Sequence, residues 1–219
     1  MFVVEGKKTV NELLASKIRT YKVFSTDENY KKEIGGICDL ISVKELSQIS
    51  SLKNPSSVLG VFYIPEPSKI DKEDWVVVLD DVRDPGNLGT IIRLCDWFGI
   101  KNLICSATTV DCYNPKVLQA TMGSITRVNI TYMDISSFLR ECNIPVYGTF
   151  MNGEVVYTQT LPKKGVLVMG NEANGISKNI ENSCTNKIAI PQFGTSTTES
   201  LNVATATSIL LNEIRRSSF

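Results

Sequence analysis

Trp75-Val76-Val77-Val78-Leu79, followed by Asp80-Asp81-Val82-Arg83-Asp84-Pro85-Gly86-Asn87-Leu88-Gly89, is the stretch from which the fold is read. Its first five residues are an apolar, largely β-branched run with no polar alternation. A strand covered on both faces reads this way, so it is a central strand of a parallel sheet. Pro-Gly-Asn at its carboxyl end is a tight-turn signal. Ile91, Ile92, Leu94, Cys95 and Phe98 then recur at helical spacing until Gly99.

Downstream the alternation repeats. Leu103-Ile104-Cys105 reads as a strand and Asn114-Pro115-Lys116 opens a helix, with proline near its first turn. Residues 128–132 read as a strand, 135–142 as a helix, and 145–150 and 165–169 as strands. Ile190-Pro191 stops a further short strand. The sum is an α/β fold: an open parallel sheet with helices on both faces. Ligands of such sheets lie outside the carboxyl ends of the strands.

Upstream, residues 1–64 read as a smaller α/β unit. Phe2-Val3-Val4, residues 21–24, 39–42 and 58–62 are strands by propensity. Helical segments at 10–16 and 43–49 lie between them, and the alternation predicts a mostly parallel sheet. Two prolines in Ile64-Pro65-Glu66-Pro67-Ser68 and the charges that follow make a linker. The expected division is 1–66, a linker at 67–74, and 75–219.

The chain has 219 residues, enough for a substantial core. Charge is balanced at 23 basic and 23 acidic residues, so the total asks for no polyanion. No apolar run reaches the roughly 18 residues of a membrane span, and the start lacks a signal-peptide pattern. Six cysteines without a C-x-x-C pair read as reduced thiols of a cytoplasmic protein. Histidine is absent. That removes Ser–His and Cys–His nucleophiles, histidine general bases and histidine metal sites, and no metal is expected.

Three stretches carry chemistry. The first holds Asn87 and Arg93, six residues apart and therefore not stacked on one helical face; they meet only if Asn87 stays in the turn and Arg93 reaches back. The second is Gly170-Asn171-Glu172-Ala173-Asn174-Gly175, where glycines permit close backbone approach. It matches neither the dinucleotide fingerprint nor the P-loop. The third is Gly194-Thr195-Ser196-Thr197-Thr198-Glu199-Ser200-Leu201-Asn202, a polar loop before a closing helix with Ser200 as the expected N-cap. The helix shows two apolar rows, Val203, Ala206, Leu210, Ile214 and Leu201, Ala204, Leu211.

Together, in this order and approximate spacing, these stretches resemble the three motifs of the SpoU (TrmH) family of RNA ribose 2′-O-methyltransferases. The resemblance runs from about Trp75 to Arg216. It implies S-adenosylmethionine as cofactor, held at Gly170, Ile190 and Leu201 with Thr149, Asn171 and Gly175 nearby. It implies catalytic roles for Asn87, Arg93, Glu172, Ser200 and Asn202. It implies a C-terminal trefoil knot, a ribosomal-protein-like RNA-binding front domain, and a homodimer in which one subunit's arginine serves the other's cofactor. The third-motif loop looks longer than in many relatives. Ribosomal RNA is favoured over tRNA as substrate. The alternatives are a non-catalytic RNA-binding or ribosome-assembly protein, and a knotted methyltransferase acting on a base.

Overall fold

The computed structural model describes residues 1–194 and 200–216. The hydroxyl-rich loop at 195–199, and with it the comparison of loop length, lies outside them.

The front unit comprises β1 (Phe2–Glu5), α1 (Lys7–Leu14), β2 (Thr20–Ser25), α2 (Glu28–Ile34), β3 (Cys38–Leu40), α3 (Val43–Ile49) and β4 (Val58–Phe62). Its sheet order is β1-β4-β2-β3. The expected mostly parallel sheet is corrected here. β4 runs antiparallel to both β1 and β2, and only β2 and β3 are parallel. Alternating strands and helices record which faces are buried, not which way a returning strand runs. Caps set two of the helices: Asp27 accepts from the Asn29 N–H, and Ser42 with Glu45 forms a capping box.

The larger sheet comprises β5 (Val76–Leu79), β6 (Asn102–Cys105), β7 (Asn129–Tyr132), β8 (Val146–Val155), β9 (Val166–Met169) and β10 (Asn186–Ala189). Its order is β10-β8-β9-β5-β6-β7, with every pairing parallel. β5 lies inside the sheet and all four of its residues are buried, as its unalternating sequence requires.

Helices cover both faces. Val77, Leu79, Leu103 and Met169 pack in the core that includes α4 (Pro85–Trp97), α5 (Pro115–Thr121) and α8 (Val203–Arg216). Val76, Val78, Ile104 and Val168 face α6 (Ile135–Arg140) and α7 (Lys178–Glu181). Full burial of such a side chain is worth about 1.5–3 kcal/mol, so these two layers dominate the fold. The front unit joins the first of them: the Phe2 and Tyr113 rings lie 4.6 Å apart, and Arg127 bridges Glu12 and Asp96 at 3.0 and 2.9 Å. The closing helix is tied down at its far end, where Arg215 donates to both carboxylate oxygens of Asp74 at 2.8 Å.

Candidate active site

The three chemistry-bearing stretches meet at the carboxyl ends of β5 and β9. After β5 the chain turns sharply: Asp81 takes a φ of 63°, a left-handed conformation that non-glycine residues rarely adopt. Its backbone N–H donates to Ser106 Oγ, and its carboxylate accepts from Arg83 Nε at 2.9 Å. The Arg83 guanidinium, by that hydrogen bond, holds the Asp81 carboxyl below its ordinary range.

α4 then begins at Pro85. Asp84 is its N-cap, accepting from the Asn87 N–H at 2.8 Å. Asn87 is therefore within the first turn of the helix, not in a preceding turn as its pairing with Arg93 would have required. Its side-chain amide donates to Glu172 Oε1 at 2.9 Å, and its Oδ1 accepts from Asn202 Nδ2 at 2.8 Å. One asparagine joins segments 85 and 115 residues away.

The second stretch is a loop folded onto itself. Asn171 and Gly175 pair backbone to backbone, and the Asn171 side chain accepts from the Ala173 and Asn174 N–H groups. The same side chain donates to the Asp81 carbonyl at 2.7 Å, which locks this loop to the turn after β5. Gly170 is buried beneath the loop: a Cβ there would sit 2.2 Å from the Gly175 carbonyl carbon. Gly175 has a φ of 67°, which glycine takes at no steric cost. Asp80 completes the anchoring by accepting from the Ser177 N–H at 2.7 Å.

The third stretch carries a correction. The N-cap of α8 is Asn202, not Ser200: Asn202 Oδ1 accepts from the Ala204 and Thr205 N–H groups at 2.9 and 3.2 Å. The helix starts two residues later than Ser200 would place it, because Asn202 can cap while its amide reaches Asn87. Leu201 consequently lies outside the helix and is 48% exposed instead of joining an apolar row.

Thr149 sits in β8 where the pairing with β10 skips. Lys187 pairs with Gly148 and Ile188 with Glu154, so residues 149–153 have no partner there. Ile190 follows β10 directly and is half-buried. Among the described residues, the backbone groups of Gly170, Ile190 and Leu201 make no hydrogen bond outside the regular ladders. Arg93 is exposed on α4 and makes no ion pair or side-chain hydrogen bond with the described residues. It does not join the Asn87–Glu172–Asn202 group within one chain.

Sequence reading passed over Asp80, Asp81, Asp84 and Arg83, which position the rest. The available signal was two acidic residues directly after a fully apolar strand. Among the described residues there is no group of acidic or cysteine side chains fit to hold a metal, and no helix long and apolar enough to cross a membrane.

Residues 74–212 match the model of the SpoU rRNA Methylase family. The chain is 30% identical over 222 residues to the 23S rRNA (guanosine(2553)-2′-O)-methyltransferase RlmP of Bacillus subtilis, spanning 98% of this chain and 88% of that protein. An AdoMet-bound rRNA methyltransferase from Sinorhizobium meliloti superposes with a TM-score of 0.86 at 31% identity, over 100% of this chain and 88% of that one. A TrmH-family structure from Porphyromonas gingivalis gives 0.88 at 36% identity, over 98% and 89%.

Proposed function

The chain belongs to the SpoU rRNA Methylase family, and from that membership we propose that it methylates a ribose 2′-hydroxyl of ribosomal RNA using S-adenosylmethionine. The observation that carries the reading is the hydrogen-bonded meeting of Glu172, Asn87 and Asn202, from three separate stretches, at the carboxyl ends of the central strands. A protein that kept the fold only to bind RNA has no need of that convergence.

The free backbone groups of Gly170, Ile190 and Leu201 fit the cofactor. Gly170 is buried and Ile190 half-buried, and peptide groups so placed require partners; Leu201 is exposed and open to a ligand, and an adenine edge offers both donors and acceptors. Thr149, Asn171 and Gly175 border the same strand ends. Bound S-adenosylmethionine supplies a methyl group on a sulfonium, an activated leaving group. What remains for the protein is to position a poorly acidic hydroxyl and to stabilise charge as it develops. With no histidine in the chain, that task falls to Arg93. A guanidinium stays protonated, so its role is to hold an RNA phosphate and stabilise negative charge developing on the 2′ oxygen, whose proton passes to solvent water as the oxygen takes the methyl group and the methyl–sulfur bond breaks. Glu172 and Asn202, joined through Asn87, orient the substrate ribose, and Ser200 sets the approach of the third stretch.

The reading extends to assembly. Arg93 lies off the cluster of its own chain, and Trp97, one turn further along α4, is 83% exposed. A tryptophan that exposed beside an unpartnered arginine supports a homodimer in which Trp97 is covered and Arg93 enters the partner's site. A C-terminal trefoil knot is supported by the path of the chain: β10 lies at one edge of the sheet, yet α8 packs beside α4 over its interior. We place the RNA-binding unit at 1–66, the transferase unit at 75–219, and the protein in the cytoplasm.

The test is tritium transfer from labelled S-adenosylmethionine to unmodified ribosomal RNA and to bulk tRNA, with nucleoside analysis. Label in a 2′-O-methylated nucleotide of ribosomal RNA is expected. Absence of cofactor binding would overturn the reading. Arg93→Ala should abolish turnover while leaving cofactor affinity nearly intact.

A further inference from the structure

A second group of residues lies away from the strand ends that carry the candidate active site. The Arg19 guanidinium carbon stands 3.7 Å from the centroid of the Tyr63 ring. Tyr21 meets the same ring edge-on at 5.9 Å. The Tyr63 N–H donates to the Arg19 carbonyl at 2.9 Å, which fixes the two backbones side by side at the end of the front sheet. Tyr21 nevertheless remains 54% exposed, and Arg19 is exposed as well. Tyr63 is half-buried beneath Arg19, and the surface it supports presents the Tyr21 ring and the Arg19 guanidinium.

Residues next to these on the same two segments, Lys17 and Ile18 on one and Pro65 on the other, line a cleft of about 450 Å³. Its far wall is built from the amino ends of β6 and β7. Asn129 there exchanges hydrogen bonds with the Ser68 backbone at 2.8 and 3.0 Å and donates to Asn102 Oδ1 at 3.0 Å, holding the linker as the cleft's rim. The cleft's cations are Lys17, Lys69, Lys101 and Arg127; its anions are Glu66 and Asp71. Arg127 is committed to Glu12 and Asp96, whereas the three lysines form no ion pair among the described residues.

We propose that Arg19, Tyr21 and Tyr63 form a stacking platform for an unpaired RNA base, with Lys17, Lys69 and Lys101 receiving the adjoining phosphates. The occupant follows from the chemistry. Aromatic faces beside a guanidinium plane take any nucleobase, and flanking free ammonium groups suit a phosphodiester strand. The location excludes the target nucleotide of the same subunit. The cleft is at the amino ends of the strands and the Asn87 cluster at the carboxyl ends, about 13 Å apart along a four-residue strand. The platform therefore holds a flanking nucleotide and sets which RNA is presented. This inference rests on the RNA-methylating reading.

The experiment measures filter binding of a ribosomal RNA fragment that serves as methyl acceptor, together with steady-state transfer, for the full chain and for Tyr21→Ala, Tyr21→Phe and Lys17→Ala/Lys69→Ala. Tyr21→Ala should weaken RNA binding about tenfold, within the range measured for lost base stacking. It should raise KM for RNA while leaving kcat and cofactor affinity unchanged; Tyr21→Phe should restore binding. The double lysine variant should lower the salt slope of binding by about 1.4. Tyr21→Ala binding RNA as the unaltered chain does, with transfer intact, would overturn the platform and leave the enzymatic reading standing. An unaltered chain that binds cofactor but no RNA would overturn both.

Discussion

Replacing Asn87 by aspartate changes one atom pair at the junction of all three chemistry-bearing stretches. Asn87 donates to Glu172 through Nδ2 and accepts from Asn202 through Oδ1. Asn87→Asp keeps the acceptor and turns the donor into a second carboxylate oxygen, 2.9 Å from Glu172 Oε1. Two unit charges at that distance repel by about 1.4 kcal/mol in bulk water and about 6 kcal/mol at an effective dielectric of 20. Glu172 is exposed and Asn87 half-buried, so the lower part of that range applies, about 1.5–3 kcal/mol. If the penalty falls on the assembled arrangement, kcat/KM drops roughly ten- to a hundredfold. Asn87→Ala loses both hydrogen bonds, about 1 kcal/mol each, and adds no charge. The two variants therefore separate with pH. Above pH 7 aspartate should be the worse substitution. A like charge facing it makes the introduced aspartate take up a proton more readily than an isolated carboxylate; on acidification its O–H restores a donor, and aspartate should become milder than alanine. Tritium transfer for each variant, divided by the unaltered enzyme at the same pH, reads this directly, with cofactor affinity by calorimetry as a control. A ratio between the two variants that does not move with pH would refute the Asn87–Glu172 contact as the operative link.

Three further outcomes are expected. Gly170→Ala puts a methyl group 2.2 Å from the Gly175 carbonyl carbon and 2.3 Å from the Ile176 nitrogen, backbone atoms that cannot step aside; it should abolish cofactor binding in calorimetry and lower Tm, consistent with about 1–3 kcal/mol or more of overpacking. Asn202→Ala should cost about 1 kcal/mol through the lost helix cap, whereas Ser200→Ala should leave thermal unfolding unchanged while lowering turnover. For Asp74, burial pushes the carboxyl up but the paired Arg215 guanidinium outweighs it, so the group titrates below its ordinary value. A depressed folded-state value stabilises above the unfolded carboxylate range and is lost as pH falls through it. Denaturant melts should show stability declining below about pH 4, with Asp74→Asn less stable at neutral pH and less sensitive to acid; an unchanged acid slope would refute this.

The sequence by itself determined the α/β class, the buried β5 strand, the apolar face of the helix that follows it and the order of the three motifs, though not that Pro85-Gly86-Asn87 is the first turn of that helix. Each of these is written locally. A strand buried on both faces needs an unbroken apolar run, and a helix packed on a sheet needs apolar residues at spacings of three and four. The chain's lack of histidine likewise narrowed the chemistry before any geometry was known. Only the tertiary structure decided that β4 returns antiparallel between β1 and β2, since periodicity carries no direction. It decided that Asn202 and not Ser200 caps α8, because both can cap and the choice rests on an Asn87 amide 115 residues away. It brought Glu172 and Asn202 to Asn87 while leaving Arg93 apart, although Arg93 is the nearer in sequence. It also laid Arg19 over Tyr63 and Arg215 across Asp74. Hydrogen bonds and stacked charges are made at about 3–4 Å between side chains, and separation along the chain says nothing about that distance until the sheet has set it.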